Sequence, residues 1–283
     1  MNDTKTKQPS SGSWLKNTLT RVASAAVLVP LVFWLLFSGP SWAFTSFALL
    51  VVVIAARELF LMVLPDNRIL GALGTVMTLG MAASIALEPH PQATLMALVA
   101  TGIIGLVGGL ASPEPIESAA TRLGWLIAGP AYLGSCFGVL ILLSQQPDGG
   151  SWVILAMFFA FGSDTGGYFA GKFFGKRKLY PKVSPKKTVA GSIGGLVVAA
   201  GGAVVAHFWL LPTLPLVDGI ILAIVAGGVG QLGDLCVSLI KRSCGVKDSG
   251  ALIPGHGGAL DRIDALAFTG ALTWLYYAIR LSS

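Results

Sequence analysis

The sequence predicts an all-α integral membrane protein with about nine transmembrane helices and a cytoplasmic amino terminus. Three observations support this prediction: a low content of charge, a succession of long apolar segments, and an uneven distribution of Lys and Arg among the loops. Only 11% of the 283 residues are charged, against about 25% in typical soluble domains. The apolar content excludes a disordered chain, and three cysteines without a CxxC pair exclude a disulfide scaffold.

Nine segments are long and apolar enough to cross about 30 Å of hydrocarbon, which takes about 20 helical residues. Their ends fall at Pro, Gly or charged residues. They are approximately 22–38, 42–64, 69–87, 91–110, 123–143, 151–170, 189–211, 215–240 and 259–281. We therefore divide the chain into a basic cytoplasmic tail (1–21), about five helices (22–150), and a catalytic region (151–283) of about four helices with two polar cytoplasmic loops.

Lys and Arg are confined to alternate loops. The basic positions of one side are Lys5, Lys7, Lys16, Arg21, Arg68, Arg122 and the runs 172–187 and 241–247. The turns of the other side contain neither residue type; they lie near 39–41, 88–90, 144–150 and 212–218. The positive-inside rule places the basic side in the cytoplasm, with the carboxyl terminus outside. The alternative for the first segment is a signal peptide cleaved near Ser41-Trp42-Ala43.

Charged residues beside the apolar segments concentrate in two inner-face regions, 162–195 and 230–264. These regions contain 11 of the 19 basic residues and five aspartates, Asp164, Asp234, Asp248, Asp261 and Asp264. At bilayer depth a charge costs about 2.5–3.5 kcal/mol or more, so it needs a partner, water or a function. Carboxylates, clustered cations and glycines together suit a polyanionic ligand carried by a metal ion. Attraction to anionic lipid heads is the simpler interpretation of the run 172–187 taken alone.

Helical spacing sharpens the second polar region. Asp234, Ser238 and Lys241 are spaced i, i+4 and i+7 and share one face near the inner end of the eighth helix. Asp261 and Asp264 share a face where the ninth helix begins. Two facing helices could then present Asp234 and Asp261 to Mg²⁺, which takes one or two carboxylates together with substrate phosphates. Pairing of Asp261 with Lys241 or with the adjacent arginine is the structural alternative.

A glycine-rich turn at 254–258 separates these two helices. Glycine lets the backbone approach a phosphate and adopt a positive φ, and the amides that open a helix point toward an anion. Gly257 and Gly258 are therefore candidate phosphate contacts. His256 is a candidate proton donor to a phosphate oxygen or a leaving group, with a structural role as its alternative.

One charged pair lies inside an apolar segment. Arg57 and Glu58 fall within the second predicted helix. At that depth we expect a mutual ion pair or a contact with the polar site, rather than catalysis.

The polar motifs resemble the signature of the phosphatidate cytidylyltransferases, the CDP-diacylglycerol synthases. The resemblance lies in Ser238 to Arg242 with Lys247 and Asp248, in the Pro-Gly-His-Gly-Gly turn, in Asp261 to Asp264, and in the earlier motifs at 163–165 and 184–188. It covers most of the carboxyl-terminal half. The amino-terminal half resembles the family in hydropathy and around Arg57-Glu58.

Members of this family condense CTP with phosphatidic acid, release pyrophosphate and leave CDP-diacylglycerol in the membrane, and they require a divalent cation. The resemblance implies a catalytic set made of Asp234, Lys241, Asp261, Asp264 and His256. It implies Asp234 and Asp261 as ligands of Mg²⁺, with a second cation left open. It implies substrate binding by Asp164, Lys186, Lys187, Ser238, Arg242, Lys247, Asp248, Gly257, Gly258 and Arg262.

The resemblance also implies partners and a location. The expected partners are CTP, phosphatidic acid and membrane lipids, without nucleic acid, and a homodimer is left open. The expected location is the bacterial inner membrane, with the active site facing the cytoplasm.

Three positions depart from the family pattern, and the mildest is Ala259, where a larger aliphatic residue is usual. Ala190 and Val237 stand where the family usually has glutamate. Val237 follows Asp234 by three residues, so we expect it to face the same site. The missing carboxylates leave two alternatives open: a related membrane nucleotidyl- or phosphotransferase that acts on another lipid, and a lipid-binding paralogue of low activity.

Overall fold

The computed structural model describes residues 26–250 and 257–280, and these ranges are almost entirely helical. They contain nine helices, one close to each predicted apolar segment. In chain order these are α1 (Ala26–Phe37), α2 (Ser41–Val63), α3 (Arg68–Leu87), α4 (Pro91–Ala111), α5 (Ile116–Ser144), α6 (Gly149–Phe174), α7 (Val189–Trp209), α8 (Leu216–Ser243) and α9 (Leu260–Arg280).

Seven helices of the described ranges, α2 to α8, are long and apolar enough to cross a membrane. This confirms the prediction of an all-α membrane protein. The number of crossings and the side of the amino terminus stay predictions, and the tail at 1–21 lies outside the described residues. α9 contains four charged residues, three near its start and one at its end, and it packs against α8 and α5.

Turns that the charge pattern assigns to the same side lie together. At one end of the bundle, Asn67 Nδ2 donates a hydrogen bond to Ser112 Oγ at 2.7 Å. At the other end, Gln145 Nε2 donates to the carbonyl oxygen of Ala86 at 3.1 Å. Helices α3 to α5 therefore alternate in direction as the sequence predicts.

Two helices contain a π-helical turn. In α5 it spans Pro130–Gly134, and in α6 it spans Phe158–Gly162. Proline lacks an N–H and disturbs the regular ladder, which accounts for the first turn. Such turns often occur at functional sites. The first contains Tyr132, and the second immediately precedes the predicted site residue Asp164.

A small hairpin lies where the sequence predicts only a polar loop. Its antiparallel strands are β1 (Lys178–Tyr180) and β2 (Ser184–Thr188), with Lys178 opposite Thr188. Val183 in the turn is 3% exposed and anchors the hairpin. Thr188 then caps α7, because its hydroxyl accepts a hydrogen bond from the Gly191 N–H at 3.1 Å. The basic run 172–187 is thereby held against α6 and α7.

Small residues bring the helices around the site close together. α6 and α7 pack through glycines, and a Cβ placed on Gly194 would collide with Ala170. α8 lies between α7 and α9. Close approach through Gly and Ala is typical of helix packing in membranes, and here it brings the polar motifs of α6, α8 and α9 together.

Candidate active site

Asp234 lies on α8 in one wall of a cleft of about 380 Å³. Asp164, Lys186 and Lys187 also line this cleft, so it joins the two motifs that lie far apart in the sequence. Lys187 pairs with Asp234, and the Ser238 hydroxyl donates to Asp234 Oδ1 at 3.3 Å. The structure therefore brings these predicted residues together in one accessible pocket.

Asp261 is held about two turns further along α8, by Lys241. Lys241 Nζ donates to Asp261 Oδ1 at 2.6 Å, and the two side chains are only 11% and 6% exposed. Asp261 Oδ2 accepts hydrogen bonds from the N–H groups of Ser249 and Gly258, at 2.9 and 3.0 Å. The pairing with Lys241 that the spacing left open is thus present, and both oxygens of Asp261 have partners.

Asp264 lies one turn further along α9 than Asp261. It is 6% exposed and close enough to Asp234, Lys241 and Asp164 to interact with them electrostatically. Arg262 interacts with Asp164 in the same way. Carboxylates from α6, α8 and α9 therefore converge on one region, with lysines and an arginine between them.

Tyr132 is a site neighbour that the sequence analysis missed. Its hydroxyl is buried and has no hydrogen-bond partner among the described residues, and it interacts electrostatically with Asp264 and Asp234. Its ring packs on Phe268 of α9, with 5.4 Å between ring centroids. A tyrosine in an apolar segment gives no sequence signal of such a position.

The donor set fits a divalent cation that arrives with phosphate. Within the described ranges no group of three or more His, Cys, Asp or Glu residues is arranged to hold a metal ion by protein ligands alone. Mg²⁺ usually takes only one or two carboxylates plus phosphate oxygens and water. Asp234 supplies such an oxygen in an open cleft, whereas Asp261 would have to exchange partners. Their roles as metal ligands stay predictions.

The amides that open α9 point toward anions, as the sequence predicts, but these anions belong to the protein. The Gly258 N–H donates to Asp261, whereas the N–H groups of Ala259 and Leu260 both donate to Glu58 at 3.0 Å. They are therefore not directed at a substrate phosphate. Gly257 has the positive φ expected of it, 83°. His256 lies outside the described residues.

Of the two contacts expected for Glu58, an ion pair with Arg57 or a contact with the polar site, the structure shows the contact with the polar site. Glu58 reaches the polar site, whereas the side chain of its neighbour Arg57 is exposed. The three ion pairs of the described ranges are those of Lys187, Lys241 and Arg280 with aspartates, so Arg57 and Glu58 do not form one.

Other predicted residues lie at the edge of the site or outside it. Arg242, Lys247 and Asp248 are exposed where α8 ends and just after it, and Arg242 donates to the Val246 carbonyl at 3.3 Å. The structure does not bring these three into the cleft.

The expectation that Val237 faces the cleft is wrong. Val237 is 1% exposed and belongs to the hydrophobic core. Three residues place Val237 about 60° around the helix from Asp234, and here that offset puts it in the core instead of the cleft. Ala190 is half-buried in the first turn of α7.

An apolar groove of about 420 Å³ adjoins the polar cleft. The two share Leu179, Ser192 and Gln231, and the groove continues along Leu232 and Leu239 of α8. A charged pocket therefore opens directly beside a surface that suits hydrocarbon. The sequence analysis did not anticipate this groove.

Comparison with known proteins agrees with the geometry. Residues 19–280 match the cytidylyltransferase family. Proteins named phosphatidate cytidylyltransferase are similar: the one from Bacillus subtilis is 37% identical over 163 residues, 57% of this chain and 60% of the relative. The protein from Brucella suis is 40% identical over 164 residues, which are 55% of this chain and 58% of the relative. The protein from Haemophilus influenzae is 38% identical over 201 residues, which are 67% of this chain and 69% of the relative.

The matched region thus spans about 60% of the length of the first of these relatives. The family match itself extends over nearly the whole chain. The apolar helices and the similarity to these bacterial proteins identify an integral membrane protein. The chain belongs to the cytidylyltransferase family.

Proposed function

We propose that this protein is a phosphatidate cytidylyltransferase. It condenses CTP with phosphatidic acid and yields CDP-diacylglycerol and pyrophosphate for phospholipid synthesis. The observation that carries the proposal is the junction of the two cavities: a cleft with Asp164, Lys187 and Asp234 opens beside an apolar groove along α8. A nucleoside triphosphate fits the polar cleft, and the acyl chains of a lipid fit the apolar groove. The phosphates of the two substrates then meet where the cleft and the groove join.

The reaction needs little proton transfer. The phosphate of phosphatidic acid is already ionised, and one of its oxygens attacks the α-phosphorus of CTP. A new P–O bond forms there, the bond from the α-phosphorus to the oxygen bridging to the β-phosphorus breaks, and pyrophosphate leaves with that electron pair. The protein must hold two anions in line against their repulsion and stabilise the charge of the transition state.

The side chains of the cleft divide this work. Lys186 and Lys187 bind the phosphates of CTP from the hairpin, and Arg262 contributes a positive charge from α9. Asp234 holds Lys187 in place before substrate enters. Lys241 and Asp261 are paired with each other before substrate enters.

Mg²⁺ is the expected cofactor, with a second cation left open. When bound, it neutralises phosphate charge and orients the triphosphate. Asp234 would hold Mg²⁺ from the open cleft, and the buried Asp264 would support it. Asp261 would become a ligand only after it releases Lys241.

We propose that the site faces the cytoplasm of a bacterial inner membrane. The hairpin and the turn after α8 carry the basic runs, which the positive-inside rule places on the cytoplasmic side. CTP would then reach the cleft from water and phosphatidic acid from the bilayer. A homodimer remains a prediction, which native mass spectrometry in detergent checks.

The test is a transfer assay with a panel of acceptors. Purified protein in detergent receives radiolabelled CTP, Mg²⁺ and one lipid: phosphatidic acid, a polyprenyl phosphate, diacylglycerol or phosphatidylserine. We expect a lipid-soluble cytidine product with phosphatidic acid alone. A product with another acceptor would assign a related transferase, and labelled CTP left intact with every acceptor would favour a lipid-binding paralogue.

A further inference from the structure

Glu58 is the only acidic residue of α2, and it is buried, with 8% of its surface exposed. Its carboxylate accepts three hydrogen bonds. Two come from the N–H groups of Ala259 and Leu260, both at 3.0 Å, and one comes from the Ser249 hydroxyl at 2.8 Å. All three donors lie where the chain passes from α8 into α9. Glu58 therefore links the amino-terminal helices to the segment that precedes Asp261.

This carboxylate acts as a helix cap supplied from a distant part of the chain. The first amides of a helix have no partner within the helix, and a residue just before the helix usually satisfies them. Here the acceptor lies about 200 residues earlier. The positive end of α9 also favours a negative charge. Burial of Glu58 is thus offset by donors and by the helix end.

Glu58 and Asp261 divide the donors of Ser249 and of residues 258–260 between them. Ser249 donates through its hydroxyl to Glu58 and through its N–H to Asp261 Oδ2. Gly258 donates its N–H to Asp261, and the next residue donates to Glu58. Displacing either carboxylate would therefore leave donors on Ser249 and at the start of α9 without an acceptor.

Two glycines permit this arrangement. A Cβ on Gly250 would lie 2.5 Å from Glu58 Oε1, and a Cβ on Gly258 would collide with Glu58 Oε2 and with the Ser249 hydroxyl. Any larger residue at Gly250 or Gly258 would therefore collide with Glu58. The backbone is folded closely around the carboxylate from two sides.

We propose that Glu58 is a positioning residue of the candidate active site. It anchors the turn that opens α9 and thereby fixes Asp261 against Lys241. Its effect on catalysis rests on the proposed function, whereas the anchoring itself does not. The amino-terminal helices then do more than hold the protein in the membrane, because α2 supplies the anchor.

The test compares Glu58→Gln with Glu88→Gln in the purified protein. Glu88 is exposed just after α3, so it is a control for the same chemical change. Two experiments are made on each variant. Mass spectrometry measures hydrogen exchange of the backbone amides 257–265, and steady-state kinetics measures kcat and the KM values for CTP and phosphatidic acid.

A glutamine has one acceptor oxygen, and its NH₂ group would face an N–H donor. We expect Glu58→Gln to raise amide exchange in this segment about tenfold or more, and to lower kcat about tenfold or more with KM for phosphatidic acid near the wild-type value. Glu58→Asp retains the charge and should recover part of both. Glu88→Gln should change neither.

Wild-type exchange in Glu58→Gln would overturn the proposal, as would an equal loss of kcat in Glu88→Gln. If Glu58→Gln does not fold, Ser249→Ala removes one of the three bonds, and both readouts should change about threefold; no change would contradict the anchoring. Raised exchange in Glu58→Gln, together with a wild-type protein that transfers no cytidylyl group, would remove the proposed function and leave the anchor standing.

Discussion

Lys241 on α8 donates a hydrogen bond to Asp261 on α9 at 2.6 Å, and both side chains are almost completely buried. This pair joins the two helices on which the polar motifs lie. A buried pair is strongly destabilised when one partner is removed, because the remaining charge stays buried. The ion pair of Arg280 with Asp218 is a useful contrast, since the Arg280 side chain is 60% exposed.

Lys241→Met should therefore destabilise the protein far more than Arg280→Met. We expect Lys241→Met to lower the free energy of unfolding by about 3 kcal/mol, whereas solvent screening makes the Arg280 pair weak. Unfolding in mixed detergent micelles measures both. Similar unfolding curves for the two variants would show that Asp261 does not depend on Lys241.

Two glycines have a positive φ, and substituting each of them distinguishes the cost of backbone strain from an effect on the site. Gly245 has φ 72° with open space where a Cβ would lie, and Gly257 has φ 83° with Asp261 Oδ2 only 3.0 Å from such a Cβ. Gly245→Ala should cost the strain alone, about 1–2 kcal/mol. Gly257→Ala should cost the same strain and also lower kcat, because Asp261 must shift. Equal kcat in the two variants would argue against that shift.

The Tyr132 hydroxyl allows a prediction of stabilisation. It is buried without a partner among the described residues, and an unsatisfied buried group costs about 1–3 kcal/mol. Tyr132→Phe removes the hydroxyl and keeps the ring on Phe268. We expect the free energy of unfolding to rise by about 1 kcal/mol. A clear loss of stability would reveal a hydrogen bond that the hydroxyl makes in the membrane.

The apolar groove can be probed through Cys236, which lines it and is exposed. With Cys136→Ala and Cys244→Ser, Cys236 is the only thiol left in the chain. Phosphatidic acid in micelles should slow its reaction with a maleimide several-fold relative to phosphatidylcholine, because the acyl chains cover the thiol. Equal rates with the two lipids would mean that phosphatidic acid does not bind in this groove.

Helical spacing and charge placement predicted much of the fold and part of the site. Apolar length located the nine helices, because crossing hydrocarbon requires about 20 residues. The spacing of Asp234, Ser238 and Lys241 placed them on one helical face, and the Ser238 contact agrees with this. Periodicity identifies a face, but it does not identify what packs against that face. Lys241 was named in advance as a possible partner of Asp261, whereas the pairing of Asp234 with Lys187 came only from the structure.

Contacts between distant parts of the chain account for what was missed. Glu58 stood out as a carboxylate in an apolar helix, yet nothing local indicated the amides of α9 as its partners. The hairpin around Val183 was missed because a basic run resembles a solvated loop. Val237 was misplaced because about one-sixth of a turn decides between cleft and core, and sequence spacing does not resolve that difference.

The most direct test of the central claim is cytidylyl transfer to phosphatidic acid in matched aspartate variants. Asp234→Asn removes the carboxylate of the cleft, and Asp66→Asn makes the same change at an exposed position. With radiolabelled CTP and Mg²⁺, wild type and Asp66→Asn should both give lipid-soluble cytidine. Asp234→Asn should lose activity by about 100-fold or more while eluting as wild type in size exclusion. Full activity in Asp234→Asn would contradict a reaction centred on this cleft.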